Sequence, residues 1–190
     1  MFDYEFYFNQ YRKDHKLNIS LSFKMPAGYE TANGTFYAVT KTVFINAEYL
    51  KDEPDYVKAF YLFHELRHSL QYLCPKLFGH AINRSIQYAI MYDGTCYKII
   101  NGKYRVCRLE GGEKLFSNIY LGQPHEADAN TYAYEQAKKI CGDSEKLREL
   151  YEFWTPGQPV QDGLYDTVYD MIDEKTKHQP SEDDSCLPTQ

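Results

Sequence analysis

At 190 residues the chain can form one domain with a proper core plus a short tail, and its 43% hydrophobic and 25% charged residues are ordinary for a globular protein in water. A formal net charge of −6 argues against a nucleic-acid or anionic-membrane partner, which would need a basic face. MFDYEFYFNQ lacks the regions of an export signal, and no apolar run approaches the roughly 20 residues that span a bilayer.

Residues 3–15 predict a short helix, although the apolar spacing there is ambiguous. LNISLSF (17–23) alternates as a strand does, and MPAGY breaks it. GTFYAVTKTVFIN (34–46) predicts two short strands or one bent strand, rich in Thr, Val, Phe and Tyr. Pro54 suits a first helical position, and the helix should run to about Leu73. Cys74–Pro75 ends it, because the residue before proline is pushed out of the helical region. Residues 79–92 read as weakly helical.

CYKIINGKYRVC (96–107) is a clear hairpin, with Asn101–Gly102 as its favoured two-residue turn. Counting outward pairs Ile100 with Lys103, Ile99 with Tyr104, Lys98 with Arg105 and Tyr97 with Val106. Tyr97, Ile99, Tyr104 and Val106 then form the face expected to be buried, opposite a face that is mostly Lys and Arg. The same register sets Cys96 opposite Cys107. The five cysteines contain no CxxC pair, so a structural zinc knuckle is not expected. Without an export signal the expectation is a cytoplasmic chain with free thiols, a Cys96–Cys107 disulfide being the alternative.

QPHEADANTYAYEQAKKICG predicts a helix with Pro124 near its first turn and Gly142 as its stop. Ala129, Ala133, Ala137 and Ile140 form a small-residue stripe along it for close packing. SEKLRELYEFW predicts a further helix and LYDTVYDMIDE a last one. The fold class expected is α+β, as a single domain over 1–175, followed by a disordered acidic tail at 176–190.

YLFHELRHSLQY (61–72) carries H-E-x-x-H at His64, Glu65 and His68. A chain of this composition contains that pattern by chance roughly once in a hundred. At about 100° per residue, His64 and His68 share a side with Val57 and Tyr61. Ala59, Leu62, Phe63, Leu66, Leu70 and Leu73 gather opposite. Histidines at i and i+4 can bind one Zn2+, with the glutamate reaching the water on the metal. The bland alternative is a pair of surface or hydrogen-bonded core histidines. A catalytic zinc needs a third protein ligand, and His80, His125, Glu126 and Asp128 are the downstream candidates. Glu126 is preferred, because it opens a helix and Asn130 lies one turn on to steady it. Its alternative role is a carboxylate at a helix N-terminus and nothing more. Gln71 and Cys74 stand where the extended metzincin pattern requires Gly and His, so that pattern fails.

GTFYAVTKTVFINAEYL, FYLFHELRHSL and EADANTYA follow one another in an order that resembles the ImmA/IrrE-type metallopeptidases of the gluzincin group, over roughly residues 33–140. The resemblance implies a small zincin-like domain. In it a short mixed sheet packs on the HExxH helix and a second ligand-bearing helix, with the hairpin segment 79–120 inserted. It implies one Zn2+ per chain on His64, His68 and Glu126, Glu65 as general base, and Asn130 in support. Arg67 departs from the family by replacing a glycine, and the gap from His68 to Glu126 is longer than usual. The inserted segment either borders the cleft mouth or serves as scaffold.

The activity implied is a zinc metalloendopeptidase that cuts a specific intracellular protein, such as a transcriptional repressor or other regulator. Tyr120, Tyr132, Tyr134 and His125 are the candidates to stabilise the oxyanion. The rival reading is a zincin-fold protein that docks to its partner without cleaving it. Glu65 weighs against that, since a protein that does not cleave has no use for a base.

Overall fold

Asp3 caps the first helix by accepting the Phe6 N–H at 2.9 Å. The structure is a computed structural model and describes residues 2–100, 103–161 and 163–177. The elements begin with α1 (Tyr4–Asp14), β1 (Ser20–Ser22), β2 (Gly34–Tyr37), β3 (Thr42–Ile45), α2 (Asp55–Leu73) and α3 (His80–Ser85). Then come β4 (Tyr88–Ile90), β5 (Thr95–Ile100), β6 (Lys103–Arg108) and α4 (Glu113–Leu121). The chain continues through α5 (Pro124–Cys141), α6 (Glu145–Phe153) and α7 (Leu164–Thr176). The fold is α+β, and its described residues divide into two compact units. Among them no helix is long and apolar enough to cross a membrane.

The first unit comprises the chain up to Phe78 together with Asp128–Trp154. Its sheet is mixed, in the order β1-β3-β2, with β1 parallel and β2 antiparallel to β3. The segment 34–46 is therefore two strands joined by a tight turn, in which Lys41 takes a left-handed backbone conformation at φ 53°. Val43 and Ile45 alternate into the core, where they join Leu62, Phe63 and Leu66 of α2 and Leu147 of α6. Ala133 and Ala137 of α5 enter the same core, as the small-residue stripe anticipates. Gly142 ends α5 in the left-handed region, its N–H bonded to the Lys138 carbonyl at 2.9 Å.

Helix α2 carries buried residues of both kinds, apolar and polar. Its apolar stripe is buried, but Glu65, His68, Ser69 and Gln71 are buried as well. Among these, Gln71 donates to Asp128 of α5 and Ser69 to the Leu66 carbonyl, and His68 meets the Gln71 side chain.

The second unit comprises Gly79–Ala127 and the described residues from Thr155 to Lys177, so the segment 79–120 lies wholly within it. The hairpin register is as counted from the sequence, from Ile100 opposite Lys103 out to Cys96 opposite Cys107. The Asn101–Gly102 turn lies outside the described residues, as does the tail from 178. The face of the hairpin differs from expectation. Tyr97, Ile99, Tyr104 and Val106 are only half-buried, whereas Cys96 and Cys107 on the other face are buried in this unit's core with Val168 and Ile172 of α7. Helix α7 covers the basic face because it satisfies it: Lys98 pairs with Asp173, and Arg105 donates to the Thr176 carbonyl at the helix end. Cys74, Cys96, Cys107 and Cys141 are free thiols, as expected.

Two elements of this unit correct the reading. The helix expected over 79–92 stops at Ser85, and Tyr88–Ile90 adds a third antiparallel strand to β5. Tyr88 and Ile90 alternate inward, a period of two too short to stand out in the sequence. Helix α4, behind Gly111–Gly112, has no counterpart among the predicted elements; Phe116, Ile119 and Tyr120 are its buried side.

Candidate metal centre

His64 and His68 stand one turn apart on α2, and their Nε2 atoms are 2.9 Å from each other with the rings near-perpendicular. Glu126 is buried in the first turn of α5, a continuous helix whose later turns pack in the first unit. One donor atom from each of His64, His68 and Glu126 lies within 4.8 Å of the others. The three could hold a metal ion.

The donor set fits such an ion. Two imidazole nitrogens and one carboxylate oxygen are a three-ligand set that leaves a fourth position open. Nitrogens at about 2.0–2.1 Å from one tetrahedral ion would be about 3.3 Å apart, close to the separation of this pair. Of the other candidate ligands, His80 is exposed at the start of α3 and outside the group. Asp128 is engaged by Arg67 and Gln71, and His125 by Ser85.

The His68 ring is fixed from behind. Its Nδ1 is 2.8 Å from Gln71 Oε1, and Gln71 Nε2 donates to Asp128 Oδ2 at 2.8 Å. Asp128 also accepts from Arg67 Nε at 2.7 Å and Nη2 at 2.9 Å. The guanidinium lies 4.7 Å from the ring centres of both Phe78 and Tyr132. Arg67 thus faces Asp128 and two aromatic rings.

Glu65 is buried between the histidines in sequence, with β2 pressed against it. A Cβ on Gly34 would stand 2.8 Å from Glu65 Cγ, so the glycine makes the room that the carboxylate side chain occupies. His125 is buried beside Glu126, with Nε2 3.2 Å from Glu126 Oε1 and Nδ1 2.6 Å from Ser85 Oγ. Ser85 in turn meets the Tyr169 hydroxyl at 2.7 Å. Ser, His and Glu in a row evoke a nucleophilic triad, but Ser85 is 0% exposed and no substrate reaches its oxygen. The arrangement buttresses Glu126 instead.

The remaining residues singled out from the sequence lie as follows. Asn130 donates to the Trp154 carbonyl at 2.9 Å, tying α5 to the end of α6. Tyr132 packs on Arg67, and Tyr134 stacks on Tyr151 at 4.7 Å. Tyr120 is buried with its ring 4.5 Å from Tyr92. Burial raises the Tyr92 hydroxyl pKa, its bond with Tyr120 opposes that, and the Glu126 charge adds to it.

Gln71, Gly34 and Tyr92 were not singled out from the sequence. Gln71 was legible as the residue one turn beyond His68 on the same helix. Gly34 and Tyr92 owe their places to the strands and carried no local signal. Neither the scan against family models nor the searches of curated proteins and solved structures found a match.

Proposed function

We propose that this chain is a zinc-dependent metalloendopeptidase with a zincin-like fold, of the kind its resemblance to the ImmA/IrrE-type metallopeptidases implies. The observation that carries the reading is the convergence of His64, His68 and Glu126, two segments far apart in sequence, to within 4.8 Å, with Glu65 buried beside them. When bound, Zn2+ would bring the pKa of its water towards about 7 and polarise the scissile carbonyl. His64 and His68 offer Nε2 and Glu126 its carboxylate. Glu65 is the general base: it takes the proton and hands it to the leaving amine. Tyr92, whose hydroxyl feels the Glu126 charge, and Tyr120, whose ring lies 4.5 Å from it, are the candidates to supply an oxyanion donor. The substrate proposed is a specific cytoplasmic protein, a regulator or repressor cut at one site.

Metal analysis of purified protein after zinc reconstitution tests the reading, with wild type beside His64→Ala, Glu126→Ala and Glu65→Gln. About one zinc per chain is expected in wild type and in Glu65→Gln, and loss in the two ligand variants. A peptide library incubated with zinc-loaded wild type should yield products that Glu65→Gln does not. Absence of zinc from reconstituted wild type would refute the proposal. Zinc with a biological effect unchanged by Glu65→Gln would leave the docking protein in its place.

A further inference from the structure

We infer that Gln71 and Asp128, backed by Arg67, are positioning residues that set the tautomer of His68; the inference rests on the metallopeptidase reading for its purpose, not for its geometry. The argument starts from Asp128, whose ionised carboxylate can only accept hydrogen bonds. Arg67 holds it through both oxygens, at 2.7 and 2.9 Å, from a guanidinium placed against two aromatic rings. Oδ2 faces Gln71 at 2.8 Å, so Gln71 must turn its NH2 towards Asp128. Its carbonyl oxygen then points the other way, 2.8 Å from His68 Nδ1.

A carbonyl oxygen cannot donate, so His68 Nδ1 carries the proton. A neutral imidazole with Nδ1–H keeps its lone pair on Nε2, the nitrogen that faces His64 at 2.9 Å within the metal group. The relay runs one way because it begins at a group that offers no proton. Gln71 is 0% exposed and His68 3%, so both side chains are shut off from bulk water. Arg67, Asp128, Gln71 and His68 all belong to the first unit, on α2 and α5.

A merely structural tie between two helices would tolerate Asp128→Asn, since an asparagine can still bond to Gln71 in one direction or the other. A positioning role would not, because the amide of Gln71 is then free to turn over. Ring-nitrogen NMR of His68 in the zinc-free protein reads the tautomer directly, and a competition titration with zinc reads affinity. The expected results are Nδ1–H in wild type, a mixture or the Nε2–H form in Asp128→Asn and in Gln71→Met, and zinc binding about 10–100-fold weaker in both. The double variant Gln71→Glu with Asp128→Asn restores an acceptor at 71 held by a donor at 128, and should recover Nδ1–H and most of the affinity.

A thermal melt accompanies each variant to show that it folds. Nε2–H in wild type, or an unchanged His68 signal in folded Asp128→Asn, would overturn the inference. Nδ1–H in a wild type that binds no zinc would sink the metallopeptidase reading and uphold the relay.

Discussion

Replacing Gly34 by alanine is a compact test of how β2 and Glu65 share space. The added Cβ would lie 2.8 Å from Glu65 Cγ, 3.0 Å from the Phe44 carbonyl oxygen and 3.1 Å from Ile45 Cδ1. Carbon atoms at rest are about 3.5–4.0 Å apart, so the Glu65 contact is too close by roughly 1 Å. The Phe44 oxygen belongs to the paired strand and cannot retreat without breaking the sheet register, since Gly34 pairs with Ile45. The Glu65 side chain is the part able to move.

The expected stability loss is that of an overpacked core, about 1–3 kcal/mol. If Glu65 is the general base proposed, the functional loss should be larger in proportion, because a catalytic group displaced by about 1 Å can cost about 100-fold in rate. Zinc content should hold at the wild-type level, since the residue displaced is not a ligand. Chemical denaturation, metal analysis and peptide cleavage measured on the same preparation separate these effects. Gly79→Ala, where a Cβ meets nothing within 4 Å, serves as the control. Gly34→Ala with wild-type stability and cleavage would refute the reasoning.

Three further outcomes follow from the geometry. Removing zinc by chelation should lower the melting temperature of wild type and leave Glu126→Ala unmoved; a metal at about 100 times its dissociation constant adds about 2.7 kcal/mol, so the shift should be visible by calorimetry. Gly142→Ala should destabilise the end of α5 by about 1–2 kcal/mol although its Cβ would meet no neighbour, because φ 85° is the left-handed region. Burial holds the Tyr4 and Tyr88 hydroxyls up to about 12, against 10.0 for an ordinary tyrosine, with Asp55 and Asp173 respectively adding to it. A raised folded-state value means that this contribution to stability is fully present below pH 10 and lost as pH rises towards 12. Denaturation midpoints should therefore fall across that window, and a midpoint flat through it would contradict the assignment.

The parts of the fold legible in the sequence are those whose signal is local. Pro54 and Cys74–Pro75 bound α2, Gly142 ends α5, and the register of β5 on β6 is the one counted from the sequence, each a signal that needs no distant partner. The group of His64, His68 and Glu126 that could hold a metal ion was legible for a related reason, since i,i+4 histidines and a carboxylate opening a helix are patterns within single segments, and only their convergence needed the structure.

What escaped the reading depended on a partner elsewhere in the chain. Lys98 and Arg105 mark a solvent face when taken by themselves; Asp173 and the carbonyl end of α7 make it an interior one. Asp128, weighed as a metal ligand, is claimed by Arg67 and Gln71, so an acidic residue two positions from Glu126 serves the His68 ring instead. Arg67, a bulky cation on the histidine-bearing helix, is accommodated by the same pairing. A glycine at 67 would leave Asp128 without its bidentate partner, and so without a fixed position from which to orient Gln71. Arg67→Gly should then weaken zinc binding in the same direction as Asp128→Asn, although Arg67 holds no proton for the site and lies outside the metal group. Zinc affinity unchanged in a folded Arg67→Gly would show that Asp128 keeps its direction without the guanidinium.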